Sequence, residues 1–352
     1  MALHASRRTL LLAAPLAALA TATACGSDET TTGTPGAGGS APAEATGFPV
    51  TVEHALGTAE IPSAPQRIVC VGWGSQDVLW ALGLQPVAVP EVTYGGLEDG
   101  TYPWWEGHFD PQTTTFIASP DSGELPIEEI AAQQPDLVLG VYSGMTQAEY
   151  DALSQIAPTV AYPSAPWQTS WQDQALLVGR AVGREEDART LVEDTEADLA
   201  ARGEENPELA GKTVAYVSPT TEFLYVYLPG DSRVDLLHDL GLEDAPGVTT
   251  LGEQVDAFYT EVSKENVRDI DSDIVIGYGL PEAEFTADPV YSTMPAVASG
   301  AVAWLEDESL VSATSATVLN LPWQLDRLVP LLADAAAAAD AAGSTGTAAP
   351  AS

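Results

Sequence analysis

Apolar positions recur in the same order in the two halves of the chain. Residues 77–84 (DVLWALGL) read as a helix that ends at a glycine, and residues 235–242 (DLLHDLGL) repeat that pattern. Each copy is followed by a second unit, in which a glutamate lies eight residues before an apolar run: Glu128 before 136–139, and Glu265 before 273–276. A glycine cap alone explains one match, but not the shared order and spacing of both units. The repeat predicts two similar α/β lobes with a cleft between them.

Short apolar runs alternate with helical patterns throughout the region between the first and last glycine-rich segments. This alternation predicts mainly parallel sheets. Strands are predicted at residues 67–71, 86–89, 136–140, 159–162, 213–217, 223–228 and 301–304. Further helices are predicted at 146–156, 167–182 and 185–202, with a closing helix from about residue 323. Residues 90–125 are predicted to form a long loop, and its aromatic residues indicate a functional loop rather than a disordered one.

The helix predicted at 185–202 stands between the two copies of the repeat. Its apolar positions fall on one face, at Ala188, Leu191, Val192, Thr195 and Leu199. About 20 helical residues span roughly 30 Å, so this element would join the lobes more stiffly than a loop. The predicted fold is therefore two Rossmann-like α/β lobes with mainly parallel sheets, bridged by a long rigid helix, with a ligand cleft between the lobes. The predicted boundaries are 48–183 for the N-terminal lobe, 184–205 for the bridging helix and 206–340 for the C-terminal lobe.

The first 24 residues have the composition of a secretory signal. Arg7 and Arg8 precede a short apolar core, and small residues precede Cys25. This pattern resembles a bacterial lipoprotein signal, in which the cysteine is lipidated and becomes the first residue, although Ala22 stands where leucine is usual. The paired arginines also suit twin-arginine export, so both that route and the general secretory route stay open. Residues 25–47 are predicted to be a disordered tether, and residues 341–352 a disordered tail.

The chain of 352 residues has 51 acidic and 12 basic side chains and a formal charge of -39. Nucleic acid is excluded as a partner, because binding to phosphates requires a basic surface. Of the two cysteines, Cys25 is assigned to the lipid anchor and Cys70 to a buried strand, so no disulfide is expected. The histidines outside the signal are scattered at His54, His108 and His238, a spacing that does not suit a bare transition metal.

Six segments in the correct order resemble the binding proteins of iron-siderophore ABC importers. They are residues 65–71, 81–87, 127–139, 153–159, 295–303 and 322–329. The resemblance covers about residues 48–340 and agrees with the predicted bridging helix. It implies an extracytoplasmic lipoprotein, held at the cell membrane by Cys25, that captures a ferric siderophore as a monomer and delivers it to an ABC permease. It also implies that Glu128 and Glu265, one on each lobe, contact arginines of the permease. The helix dipole offers a simpler reason for acidic residues at those positions.

The ligand site is expected beyond the carboxyl ends of the strands, as in other open α/β sheets. Candidate ligand-binding residues at these ends and in the long loop are Trp73, Ser75, Tyr94, Trp104, Trp105, Tyr142, Tyr225, Arg233 and Tyr278. Because the iron of a siderophore is already coordinated, aromatic walls and a few donors suffice, and no metal ligands or cofactor are predicted. Some candidates have a second interpretation: Trp104 or Trp105 as a loop anchor, Tyr225 as core, and Arg233 as the partner of Asp231.

Two other classes of function remain open. A cobalamin or haem receptor could use the same lobes, and a haem receptor would offer an axial ligand such as Tyr94 or His108. An enzyme or an adhesion module on this scaffold is the alternative from a different class. The sequence contains no nucleophile elbow, phosphate loop or metalloprotease helix motif, so an enzyme is not predicted.

Overall fold

A computed structural model describes residues 47–119, 123–255 and 257–346, with the backbone alone at 344–346. The predicted signal, Cys25, all of the predicted tether except Gly47, and residues 347–352 of the predicted tail lie outside the described residues. None of the described helices combines the length and apolar character needed to cross a bilayer.

The first lobe is built on a five-stranded parallel sheet. Its strands are β3 (Ile68–Cys70), β4 (Ala88–Pro90), β5 (Thr115–Ile117), β6 (Leu137–Gly140) and β7 (Thr159–Ala161), in the order β5-β4-β3-β6-β7. An antiparallel hairpin that the sequence did not predict precedes them, formed by β1 (Val50–His54) and β2 (Gly57–Ile61). The helices are α1 (Ser75–Ala81), α2 (Ile127–Ala132), α3 (Gln147–Leu153) and α4 (Trp171–Ala181). The central strands are buried along their whole length, as expected of a sheet covered on both faces.

Two predictions about the first lobe need correction. The long loop contains a strand, because residues 115–117 pair in parallel with β4 and extend the sheet. The helix predicted from residue 167 begins only at Trp171, where the side chain of Ser170 accepts a hydrogen bond from the amide of Asp173 and caps it. Cys70 is fully buried in β3 as predicted, and burial raises the pKa of its thiol.

The helix between the repeat copies is α5 (Glu185–Glu205), which has 21 residues. It buries Ala188, Val192 and Leu199, three of the five predicted apolar positions. The first half of α5 and the residues up to Glu196 pack along α4 of the first lobe. Near its end α5 contacts helix α6 (Ser232–Asp239) of the second lobe.

The second lobe is built on a mixed sheet. Its strands are β8 (Thr213–Pro219), β9 (Phe223–Tyr227), β10 (Glu243–Asp244), β11 (Tyr259–Ser263), β12 (Ile274–Gly277) and β13 (Val302–Trp304). The order is β11-β9-β8-β12-β13, with β10 beside the start of β8. Strands β8, β10, β12 and β13 pair in parallel, as predicted, whereas β9 is antiparallel to β8 and β11. The three residues between β8 and β9 are too few for the crossover that a parallel pair requires.

The remaining helices pack around the second sheet, and α11 is the last described element of the chain. They are α7 (Pro246–Gly252), α8 (Glu282–Ala287), α9 (Pro295–Ser299), α10 (Glu308–Ala313) and α11 (Leu321–Gly346). One cluster of buried apolar side chains continues from the first lobe, at Leu139 and Trp105, to the second, at Tyr216 and Leu332. A core shared in this way resists separation of the lobes.

The two copies of the repeat fold alike. Helices α1 and α6 both end with a glycine of positive φ, Gly83 at 75° and Gly241 at 91°. The next amide donates back into the last turn in each copy, from Leu84 to the carbonyl of Leu79 and from Leu242 to that of Leu237. This is the Schellman arrangement, in which a left-handed residue lets the chain leave the helix with its carbonyls satisfied.

Candidate functional site

Two adjoining cavities lie between the lobes, at the carboxyl ends of the central strands. The first has a volume of about 330 Å³ and the second about 430 Å³. Trp73, Tyr142 and Arg233 line both of them. Trp73 follows β3, Tyr142 follows β6, and Tyr278 of the first cavity follows directly after β12. The predicted position of the cleft is therefore the observed one.

Trp104 and Trp105 form one wall of the first cavity and are themselves nearly buried. They sit on a 3₁₀ turn, Pro103–Trp105, in the middle of the long loop. The indole N–H of Trp104 donates to Oδ2 of Asp77 at 3.1 Å, and that of Trp105 donates to Oδ1 at 2.9 Å. Both tryptophans thus anchor the loop and also line the cavity, and their contact with a ligand stays a prediction.

Asp77 is a site residue that the sequence did not reveal. It is 2% exposed, and it also accepts a hydrogen bond from Oγ1 of Thr317, at 2.7 Å, across the lobe boundary. Burial raises the pKa of its carboxyl to about 6, and the hydrogen bonds from Thr317, Trp105 and Trp104 oppose that rise. The sequence did contain a signal for Asp77, which is an acidic residue in the first turn of a helix that directly follows a strand. The sequence analysis used Asp77 only as the first residue of the repeat.

Arg233 projects from the first turn of α6 into the cleft. Its Nε and Nη2 each donate to a different oxygen of Asp231 at 2.7 Å. Its guanidinium also lies 3.9 Å from the centre of the Tyr227 ring. Burial alone would lower the pKa of Arg233, but the hydrogen bonds and charge of Asp231 outweigh it and raise that pKa. The sequence left open a place in the cleft or a pair with Asp231, and both are present.

Aromatic side chains from both lobes surround the second cavity. Trp73, which is 39% exposed, contacts Trp167 with ring centres 5.1 Å apart and Tyr142 at 6.1 Å. The second lobe adds Tyr225, Tyr227, Phe258 and Tyr259. Of these, Trp167, Phe258 and Tyr259 were not predicted. Trp167 has a positive φ of 59° in the loop before α4, and assigning it to the helix hid its role.

Several tyrosines of the second lobe contact one another at the cleft. The hydroxyls of Tyr227 and Tyr278 are 2.6 Å apart, and the ring of Tyr216 packs edge-on against Tyr227. Tyr225 is half-buried on β9 and lines the second cavity, so its predicted position is observed. Burial raises the pKa of Tyr142, and the nearby charge of Arg233 opposes that rise, so the hydroxyl is a neutral donor.

Of the predicted ligand-binding residues, Ser75 lies outside the cavities, and Tyr94 lines one of them but is largely exposed to solvent. Ser75 is 1% exposed and lines neither cavity, because the first turn of α1 directs it into the protein. Tyr94 is 49% exposed and lines the first cavity. Its carbonyl accepts a hydrogen bond from Ser312 of α10 at 3.2 Å, which ties the long loop to the second lobe. His108 lies outside both cavities.

Glu128 and Glu265 lie in corresponding first turns, that of α2 and that of the 3₁₀ turn Lys264–Asp269. Each side chain is at least partly accessible to solvent. Neither residue lines a cavity of the cleft. Within the described parts of the chain, His, Cys, Asp and Glu form no group of three or more that could hold a metal ion.

Comparison with known proteins places the chain in a family. The family model described as periplasmic binding protein matches residues 68–308. The probable siderophore-binding lipoprotein YfiY of Bacillus subtilis (strain 168) is 27% identical over 272 residues, which cover 71% of this chain and 78% of that protein. The structure of PiaA from Streptococcus pneumoniae TIGR4 in complex with ferrichrome is similar with a TM-score of 0.76 and 31% identity, covering 82% of this chain and 99% of that one. A periplasmic solute binding protein from Mycobacterium smegmatis str. MC2 155 has a TM-score of 0.69 and 27% identity, covering 82% and 98%.

The chain therefore belongs to the periplasmic binding protein family. Proteins of this family bind substrates for transport and are not enzymes. The two-lobed α/β fold is the feature that the similar structures share with this chain.

Proposed function

We propose that this protein captures a ferric siderophore outside the cytoplasm and delivers it to an ABC import permease. The observation that carries the proposal is the cleft itself, two adjoining cavities walled by tryptophan and tyrosine with one arginine between them. A chelate whose iron is already coordinated needs such walls and donors rather than metal ligands. The names of the relatives, a siderophore-binding lipoprotein and a ferrichrome complex, support the same ligand class.

A haem receptor is the less favoured alternative. Of the two axial ligands proposed from the sequence, His108 lies outside both cavities, and Tyr94 lines the first one. Coordination of iron by tyrosine requires the phenolate, but burial and the charges of Glu308 and Tyr278 raise the pKa of Tyr94. A cobalamin receptor has no comparable requirement, and direct binding of the two kinds of ligand separates it from a siderophore receptor.

The proposal includes attachment to the cell membrane through a lipid on Cys25. The lipoprotein signal in the sequence supports this attachment, and so does the name of the Bacillus subtilis relative. Export by the general secretory or the twin-arginine route fits the same signal. We expect the protein to act as a monomer.

Direct binding of ferric chelates tests the ligand class. Sub-micromolar ferric siderophore should quench the tryptophan fluorescence, and Trp73→Ala should weaken binding about tenfold or more, because Trp73 borders both cavities. Phe116→Ala is the matched control, since Phe116 is 36% exposed, lines neither cavity and should leave affinity unchanged. A response to haem or cobalamin without one to any ferric siderophore would reject the proposal.

Docking to the permease is assigned to Glu128 and Glu265. Each is an accessible acid, one on each lobe, available to an arginine of the partner. The double variant Glu128→Ala with Glu265→Ala should lose most of the iron uptake in cells while keeping its affinity for the chelate. Glu53→Ala with Glu60→Ala removes two exposed acids of the β1–β2 hairpin and should leave uptake intact. Reduced affinity in the first variant would argue against a docking role.

A further inference from the structure

We propose that the cleft selects ferric chelates of zero or positive net charge, which means trihydroxamates rather than tris-catecholates or citrate chelates. This inference rests on the proposed function and adds the class of siderophore. Three singly charged hydroxamates neutralise Fe³⁺, whereas three doubly charged catecholates leave a complex with a triple negative charge. The charges that line the cleft distinguish these two kinds of ligand.

The cleft contains one cation, Arg233, among the described residues that line the two cavities. The acids that line it are Asp77 and Glu91, both on the first cavity. At neutral pH the lining therefore carries more negative than positive charge. An anionic chelate would enter a site whose own charge opposes it, and a low-dielectric cleft strengthens that opposition.

The charge of Arg233 is moreover largely offset. Asp231 is 3% exposed and holds the guanidinium through two parallel hydrogen bonds. A ligand in the cleft meets this pair as a dipole rather than as a free positive charge. Arg233 can still donate a hydrogen bond to a chelate oxygen, which a neutral hydroxamate provides as well as a catecholate does.

The aromatic walls act in the same direction. Aromatic rings carry the negative side of their quadrupole on their faces, so the rings of Trp73, Tyr225 and Tyr259 along the second cavity favour cationic and neutral groups over anions. The methylene arms of a trihydroxamate can pack against such faces. The remaining lining of the first cavity consists mainly of uncharged residues, including Gln76, Ser315 and Asn320.

A comparison of chelates of different charge tests this selection. The folded protein is titrated at physiological salt with ferrichrome as the neutral trihydroxamate, ferric enterobactin as the tris-catecholate, and ferric dicitrate. Ferrichrome should bind at least roughly tenfold more tightly than either anionic complex. Equal or tighter binding of an anionic complex overturns the charge selection and leaves the proposed function standing. Failure of all three to bind overturns the proposed function and this inference with it.

Two variants show whether the charges of the cleft set the preference. Asp231→Asn keeps the shape of the side chain but frees the charge of Arg233, so the preference for ferrichrome over ferric enterobactin should shrink severalfold. Glu91→Gln changes an exposed residue and should shrink it by a smaller factor without affecting folding. Glu60→Gln is the control, because it alters the net charge equally but lies outside the cleft. An unchanged preference in Glu91→Gln and Asp231→Asn, or an equal change in Glu60→Gln, overturns the inference.

Discussion

Helices α1 and α6 occupy corresponding places in the two lobes, yet they agree at one end and differ at the other. Both end in a Schellman cap, far from the cleft. At the cleft end, the N-cap residue of α1 is Gly74, in a left-handed conformation and without a side chain, whereas the side chain of Asp231 caps α6. Ser75 of the first lobe corresponds to Arg233 of the second. The duplicated scaffold is thus retained where the elements pack, and it has diverged where a ligand would contact it.

The two lobes also use buried carboxylates in opposite ways. In the first lobe, neutral donors from the long loop and from Thr317 converge on Asp77, which holds the parts of the cleft together. In the second lobe, a carboxylate holds a cation, Arg233, in position. One arrangement fixes the walls of the cleft, and the other presents a hydrogen-bond donor to its interior.

Among substitutions that test the difference between the two helix starts, the largest loss of stability is expected at Gly74. Its φ is 77°, and a Cβ built there would lie 2.6 Å from Oε1 of Gln174 and 2.7 Å from Cγ2 of Thr317. Gly74→Ala should therefore destabilise the protein by about 4 kcal/mol, from backbone strain and overpacking together. Chemical denaturation measures the change.

A glycine of the second lobe separates these two contributions. Gly230 has a φ of 90°, and apart from its two chain neighbours no residue has an atom within 4 Å of the position that a Cβ would take there. Gly230→Ala should therefore incur only the strain, roughly 1–3 kcal/mol. Equal losses in the two variants would mean that the close approach of Thr317 to Gly74 adds nothing.

Asp77 is expected to give the next largest effect, seen as a dependence on pH. Its pKa rises from an ordinary 3.8 to about 6 on folding, so the folded state keeps the proton in a range where the unfolded state has released it. Stability from this group is present below pH 4 and is lost as the pH rises through about 6. The loss amounts to about 3 kcal/mol.

Asp77→Asn isolates this dependence from that of the other acids. The free energy of unfolding of the wild type minus that of the variant should fall by about 3 kcal/mol between pH 3 and pH 8. Asp235→Asn is the matched variant of the second lobe. Burial also raises the pKa of Asp235, which is only partly enclosed, so the slope should have the same sign and be smaller. A difference for Asp77→Asn that does not vary with pH would refute the assignment.

The sequence predicted the elements whose pattern is local. The buried runs at β6 and β12 and the glycine caps of α1 and α6 are each specified by a few neighbouring residues. The cleft candidates that follow strands, such as Trp73 and Tyr142, were predictable because parallel strands end at the same edge of a sheet.

Other features depend on contacts between residues distant in the chain. The residues around Asp77 come from a loop about 27 residues later and from Thr317 of the other lobe. No local sequence pattern therefore predicts the environment of Asp77. Strand β5 has only three residues, two of them exposed, and lacks the buried run that identifies its neighbours. Trp167 was missed because its helical assignment ignored the cap at Ser170.

The smallest loss of stability is expected at Asp136 and Asp273, which test directly whether the two lobes are alike. Asp136 accepts hydrogen bonds from the amides of Gln66 and Arg67 at 2.8 Å, and Asp273 accepts them from the amide and hydroxyl of Thr213 at 2.8 and 2.9 Å. Each aspartate precedes one strand and fixes the start of its parallel neighbour. Asp136→Ala and Asp273→Ala should each cost about 1 kcal/mol by denaturation, because water can reach the freed donors at these exposed sites. If the two losses of stability differ severalfold, these aspartates do not stabilise the central strands equally in the two lobes, although the hydrogen bonds are alike in geometry.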